Sequence, residues 1–68
     1  MTVLRINGVE TEVAAATVAE LLAARGLDPK ARFLAVALNG EVVRRAEWSQ
    51  QPLAPGDSVE IVRPLQGG

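Results

Sequence analysis

Residues 3–26, VLRINGVETEVAAATVAELLAARG, decide the fold. Val3-Leu4-Arg5-Ile6 alternates as a strand with Leu4 and Ile6 on one side. Val9-Glu10-Thr11-Glu12-Val13 alternates again, with Val9 and Val13 expected inward and Glu10 and Glu12 outward. Between them, Asn7-Gly8 supplies two residues that accept positive φ, as a type I′ hairpin turn requires. Thr17-Val18-Ala19-Glu20 then fits a capping box, in which Thr17 accepts from an unpaired backbone N–H and Glu20 reaches back to the Thr17 N–H. Val18, Leu21 and Leu22 form one helical stripe, and Ala19, Ala23 and Ala24 favour helix at low side-chain entropy cost. Gly26 with Leu27 behind it reads as a left-handed helix cap, and Asp28-Pro29 blocks continuation.

Beyond the helix, Phe33-Leu34-Ala35-Val36-Ala37-Leu38 is unbroken apolar sequence, which predicts a central strand buried on both faces. Asn39-Gly40 repeats the hairpin signal, and Glu41-Val42-Val43 pairs back as a short strand. Residues 44–52 read as irregular. Pro55-Gly56-Asp57 is a turn, and Ser58 to Arg63 closes the series as a strand with Val59 and Ile61 inward. Strand, strand, helix, strand, strand, strand is the order of an α+β domain of ubiquitin-like β-grasp type. Its mixed five-stranded sheet would pack on one main helix, leaving the other face partly open. The fold further leads one to expect the first and last strands side by side and parallel. The domain is expected over residues 1–63, with a flexible C-terminal tail over 64–68.

The 68 residues carry 7 lysines plus arginines against 8 aspartates plus glutamates, for a net charge of -1. That balance argues against a nucleic-acid coat or a polybasic membrane anchor, both of which need clustered positive charge. Histidine, cysteine and tyrosine are absent. Their absence removes the commonest general base, the thiol nucleophile and the usual ligands for zinc, copper or iron–sulfur clusters. Neither intrinsic catalysis nor a resident cofactor or metal is therefore expected. No secretory signal stands at Met1-Thr2-Val3-Leu4-Arg5, and no apolar run approaches the roughly 18 residues that span a bilayer. The cytoplasm is the expected compartment.

Four glycines have turns or caps to serve, at positions 8, 26, 40 and 56, whereas Gly67 and Gly68 have none. Glycine loses more freedom on ordering than any other residue, so this end is expected to be mobile. A terminus without side chains can thread a narrow channel in a partner and present its carboxylate there. Pro64 cannot donate to a strand ladder and so releases the tail, whose reach is about 17 Å at roughly 3.3–3.6 Å per residue. The plainer alternative is a frayed end or an artificial stub. Glu10, Glu12 and Glu60 read as solvated carboxylates, and no Gly-x-x-x-x-Gly-Lys or Gly-x-Gly-x-x-Gly loop occurs. The adjacent pair Arg44-Arg45 reads as solvated, or else as a contact for an acidic partner. Trp48 reads as a core lid, and Val62 and Leu65 as extending an apolar patch near the tail.

Val43-Arg44-Arg45-Ala46-Glu47-Trp48, Leu53-Ala54-Pro55-Gly56-Asp57, Val59-Glu60-Ile61-Val62 and the final Gly67-Gly68 together resemble the thiamine-biosynthesis sulfur carrier family (ThiS). Ile6-Asn7-Gly8 and the helix from Thr17 to Leu22 also fit, so the resemblance spans essentially the whole chain. The Arg45-to-Trp48 spacing and the short length favour this family over its longer molybdopterin relative. Leu65-Gln66 departs from it, since relatives often have smaller residues there. The resemblance implies a carrier acted on by enzymes and not itself an enzyme. A ubiquitin-activator-like (ThiF-like) adenylating enzyme would use ATP and Mg²⁺ to convert the Gly68 carboxylate to an acyl adenylate. A persulfide from a cysteine desulfurase or related donor would displace AMP, and reduction would leave a thiocarboxylate on Gly68. Thiazole synthase (ThiG-like) would take that sulfur into the thiazole of thiamine, with Gly67, Gln66 and Leu65 lying in the partner channels. Three alternatives stay open: a sibling carrier for molybdopterin or tRNA thiolation, a protein modifier, and a β-grasp binding module with an incidental tail.

Overall fold

Asn7 and Gly8 take φ of 50° and 83°, so the chain reverses within two residues and β1 (Thr2–Ile6) pairs antiparallel with β2 (Val9–Val13). The computed structural model describes residues 1–28 and 30–63. Pro29, Pro64 and the tail residues Leu65, Gln66, Gly67 and Gly68 lie outside the described residues, and so does the expectation of a mobile tail.

Helix α1 (Val18–Ala24) starts where the capping sequence puts it, with the Thr17 hydroxyl accepting from the Glu20 N–H at 3.2 Å. Glu20 Oε1 accepts from the Ala16 N–H at 2.9 Å, one residue earlier than the expected Thr17. The cap region is shared with a distant loop, which explains the shift: Val18 donates to the Gln51 carbonyl and Leu53 to the Ala16 carbonyl. At the other end Gly26 has φ of 75°, and the N–H groups of Gly26 and Leu27 bond the carbonyls of Ala23 and Leu22. This is the Schellman pattern, and Leu27 packs on the core as its hydrophobic partner.

Asn39 and Gly40, with φ of 51° and 87°, join β3 (Ala35–Leu38) to β4 (Glu41–Val43) in a second tight hairpin. A single 3₁₀ turn, Arg45–Glu47, occupies part of the stretch expected to be irregular. The Pro55-Gly56-Asp57 turn is closed by Asp57, whose Oδ2 accepts from the Ala54 N–H at 2.8 Å, and it delivers the chain into β5 (Ser58–Val62). The sheet order is β2-β1-β5-β3-β4, with β5 parallel to β1 and antiparallel to β3. The first and last strands are therefore the parallel pair at the middle of a β-grasp sheet.

One face of that sheet carries Leu4, Ile6, Val13, Val36, Val43, Val59 and Ile61, which pack with Val18, Leu21, Leu22 and Trp48 into a single core. Five of these side chains, Leu4, Val18, Leu21, Leu22 and Val59, have no solvent exposure. Each such burial stabilises the fold by about 1.5–3 kcal/mol. Trp48 lies in this core, and its Nε1 donates to the Val43 carbonyl at 2.8 Å. The indole thereby keeps its polar atom satisfied while closing the end of the core.

Three expectations are corrected. Phe33 to Leu38 is central in sheet order but is not buried on both faces: Leu34 and Val36 are buried and half-buried Leu38 packs against the same core, while Phe33 and Ala35 are exposed and Ala37 is half-buried on the open face. One helix covers one face, and alanine tolerates the other because it presents little apolar area. Val9 is 64% exposed although it pairs with buried Ile6, because it sits at the turn end of an edge strand. Arg45 is not simply solvated: its Nη2 donates to the Ala31 carbonyl at 2.6 Å and its guanidinium lies 4.6 Å from the Trp48 ring centroid. Arg44 beside it is exposed.

Candidate functional site

The residues singled out in the sequence, Leu65, Gln66, Gly67 and Gly68, follow β5 (Ser58–Val62) after Arg63 and Pro64, so the described part of the site is the root from which they continue. Hydrogen bonds flank β5 on both sides. On one side Arg5 N–H donates to Asp57 O at 2.9 Å and Asn7 N–H to Val59 O at 2.8 Å. On the other, β3 pairs along it from Leu38↔Val59 to Ala35↔Val62. Strand β1 stops at Ile6, two residues short of where β5 would need its next partner. Asn7 fills that place with its side chain: Oδ1 accepts from the Ile61 N–H at 2.8 Å and Nδ2 donates to the Ile61 carbonyl at 3.2 Å. A carboxamide offers one donor edge and one acceptor edge, the same complement as a peptide unit. It continues the ladder past the hairpin and holds the last strand to within two residues of Arg63. Sequence reading assigned Asn7 only to the turn, and its second task carries no local signal.

The open sheet face divides into two parts. Over β1 and β2 it carries paired charges, with Arg5 opposite Glu10. Over β3, β4 and β5 it is apolar, with Ala37 opposite Val42 and Ala35 opposite Val62. Val42 is 77% exposed and Val62 62%. Ala35, Ala37, Val42, Glu60 and Val62 line one shallow groove there, with Glu60 as its charged member. Val62 extends the patch towards the tail as expected, while Leu65 lies outside the described residues. Glu10, Glu12 and Glu60 are all exposed and are not brought together. No group of three or more histidine, cysteine, aspartate or glutamate side chains that could hold a metal occurs among the described residues, and none of their helices is long and apolar enough to cross a membrane.

A mixed five-stranded sheet with a central parallel pair, one helix on one face and an open apolar half beside the exit of the last strand defines a ubiquitin-like β-grasp domain. The model of the ThiS family matches residues 4–68. The chain belongs to the ThiS family, and as such it is a sulfur carrier of the ThiS type, a small carrier protein that works with enzymes of thiamine biosynthesis. A crystal structure of the thiamine biosynthesis protein ThiS from Geobacter metallireducens is 34% identical, with a TM-score of 0.79, and the match covers 98% of this chain and all of that one. A solution NMR structure of a thiamine biosynthesis protein from the same organism gives a TM-score of 0.80 at 34% identity, covering 98% of this chain and 88% of that one. No curated protein sequence matches significantly.

Proposed function

We propose that the Gly68 carboxyl group is the atom set on which sulfur is carried. A carboxylate is a poor electrophile because its charge is shared by both oxygens. A ubiquitin-activator-like adenylating enzyme, using ATP and Mg²⁺, joins a Gly68 oxygen to the α-phosphorus of ATP and expels pyrophosphate. The terminal sulfur of a persulfide, supplied by a cysteine desulfurase or related donor, then attacks the acyl carbon and expels AMP. The acyl disulfide so formed is cleaved by two electrons from a thiol reductant, leaving a thiocarboxylate on Gly68 and a thiol on the donor. Thiazole synthase takes that sulfur. With no cysteine in the chain, the acyl carbon of Gly68 is the carrier atom, while Leu65, Gln66 and Gly67 occupy the partners' channels.

One observation carries this reading. The family match runs through residue 68, while Gly8, Gly26, Gly40 and Gly56 all stand at positive φ and so have structural employment. Gly67 and Gly68 are the two glycines left for chemistry. The open apolar half of the sheet supports joint recognition of domain and tail, because five extended residues alone offer little area for a specific interface. Incubation of the protein with its adenylating enzyme, ATP, Mg²⁺ and a persulfide donor should exchange one carboxyl oxygen for sulfur. Intact mass should rise by the difference between those two atoms, and fragmentation should place the change at Gly68. Sulfur on any other residue contradicts the proposal. A thiocarboxylate that thiazole synthase cannot use keeps the chemistry and overturns the pathway.

A further inference from the structure

Phe33 is the single phenylalanine of the chain, and it is held where neither burial nor backbone preference would place it. Its side chain is 78% exposed and its φ is 63°. Positive φ is uncommon outside glycine and is a genuine outlier for a bulky residue. An exposed ring gains nothing from the core, and a strained backbone persists only when its surroundings over-determine it.

Those surroundings are specific. Arg45 Nη2 lies 2.6 Å from the Ala31 carbonyl and 3.4 Å from the Leu34 carbonyl, the two groups that bracket Arg32 and Phe33. The same guanidinium rests on the face of Trp48, which is buried and bonded through Nε1 to Val43. Leu34 is buried and Ala31 packs against the core. The loop is thus tied to the interior on both sides of the ring it exposes.

Its place matters as much as its strain. Strand β3 begins at Ala35, which pairs with Val62, so Phe33 lies two residues beyond that pair. It stands at the end of the sheet where β5 finishes and Arg63 leads into the tail. Lys30 and Arg32 near it in the chain, and Arg63 one residue past Val62, are all exposed. We propose that Phe33 is a pre-set aromatic anchor for the adenylating enzyme, entering an apolar pocket with an acidic rim beside the mouth of the tail channel. The inference rests on the adenylation reading above. Aromatic side chains carry much of the energy of protein interfaces, and a ring already fixed in the free protein loses little freedom on docking. The flanking cations make acidic residues the complementary rim.

The test uses the full chain and its adenylating enzyme, followed by pyrophosphate release and by thermal unfolding of the free carrier. Phe33→Gly and Phe33→Asn remove the ring and keep residue types that accept positive φ. Both should raise KM for the carrier about tenfold or more, leave kcat within about twofold, and leave Tm unchanged or higher. Lys30→Glu combined with Arg32→Glu should raise KM and abolish the weakening of wild-type binding by salt. An unchanged KM in both Phe33 variants, with the wild type active, overturns the anchor and leaves the adenylation reading standing. A lowered Tm with a parallel loss in both variants overturns it by making Phe33 a support of the fold. A defect confined to sulfur delivery to thiazole synthase overturns the assigned occupant. A wild-type chain that is not adenylated at all removes the reading and the anchor together.

Discussion

Asn7-Gly8 and Asn39-Gly40 are one dipeptide in one kind of turn, and both send a backbone N–H to β5: Asn7 to Val59 and Asn39 to Ser58. Their side chains differ in what they hold. The Asn7 amide exchanges two hydrogen bonds with the Ile61 backbone in a part-buried setting, close to the point where β5 gives way to the tail. The Asn39 amide works at the start of the strand in an exposed setting, accepting from the Ser58 N–H at 2.9 Å and donating to Asp57 Oδ1 at 3.1 Å. Residues suited to left-handed turns thus double as clamps at opposite ends of the last strand. The clamp nearer the tail is the better protected from water, and there a lost hydrogen bond costs more.

Asn7→Ala is the largest way to test the contrast. It removes both side-chain bonds and puts alanine at positive φ, so denaturant unfolding should show a loss of about 2–3 kcal/mol. Asn7→Gly restores the backbone fit and keeps only the hydrogen-bond loss, about 1–2 kcal/mol. It should also speed hydrogen exchange at the Ile61 amide beyond the change seen at Val36. Asn39→Gly should cost about 0.5–1 kcal/mol, since water can replace the exposed partners of Asn39. Equal losses from Asn7→Gly and Asn39→Gly would show that the part-buried setting of the Asn7 amide adds nothing to its hold on β5. In the double variant the two losses should add within about 0.5 kcal/mol, and a larger departure would make β5 a single cooperative unit held from both ends.

Much of this architecture is legible in the chain because the signals are local. Both Asn-Gly turns, the Thr17 cap, the Gly26 stop and the inward faces of β1 and β5 rest on neighbours a few residues apart. What was not legible depends on which distant segments meet. The Asn7 amide can be placed on Ile61 only once β5 is known to lie beside β1 and to outrun it. Arg45 reads as a surface charge until the loop around Phe33 is folded against it. The run from Phe33 to Leu38 is misleading because an unbroken apolar stretch does not say which face is covered, and small alanines hide an open one. For the proposed site, the sequence singles out the two final glycines by elimination, and the structure gives each of the other four a turn or cap at positive φ. The surface that would accompany them into a partner was not, because it is assembled from β3, β4 and β5 together.

In the proposed function the folded domain holds and the terminal carboxyl group reacts. The most direct measurement is sulfur transfer and thermal unfolding of the chain lacking Gly68, side by side with the full chain. Among the described residues the core runs from Leu4 to Ile61, so the truncated protein should unfold at the same temperature within about 1 °C. It should accept no sulfur and deliver none to thiazole synthase. A truncated chain that still delivers sulfur overturns Gly68 as the carrier.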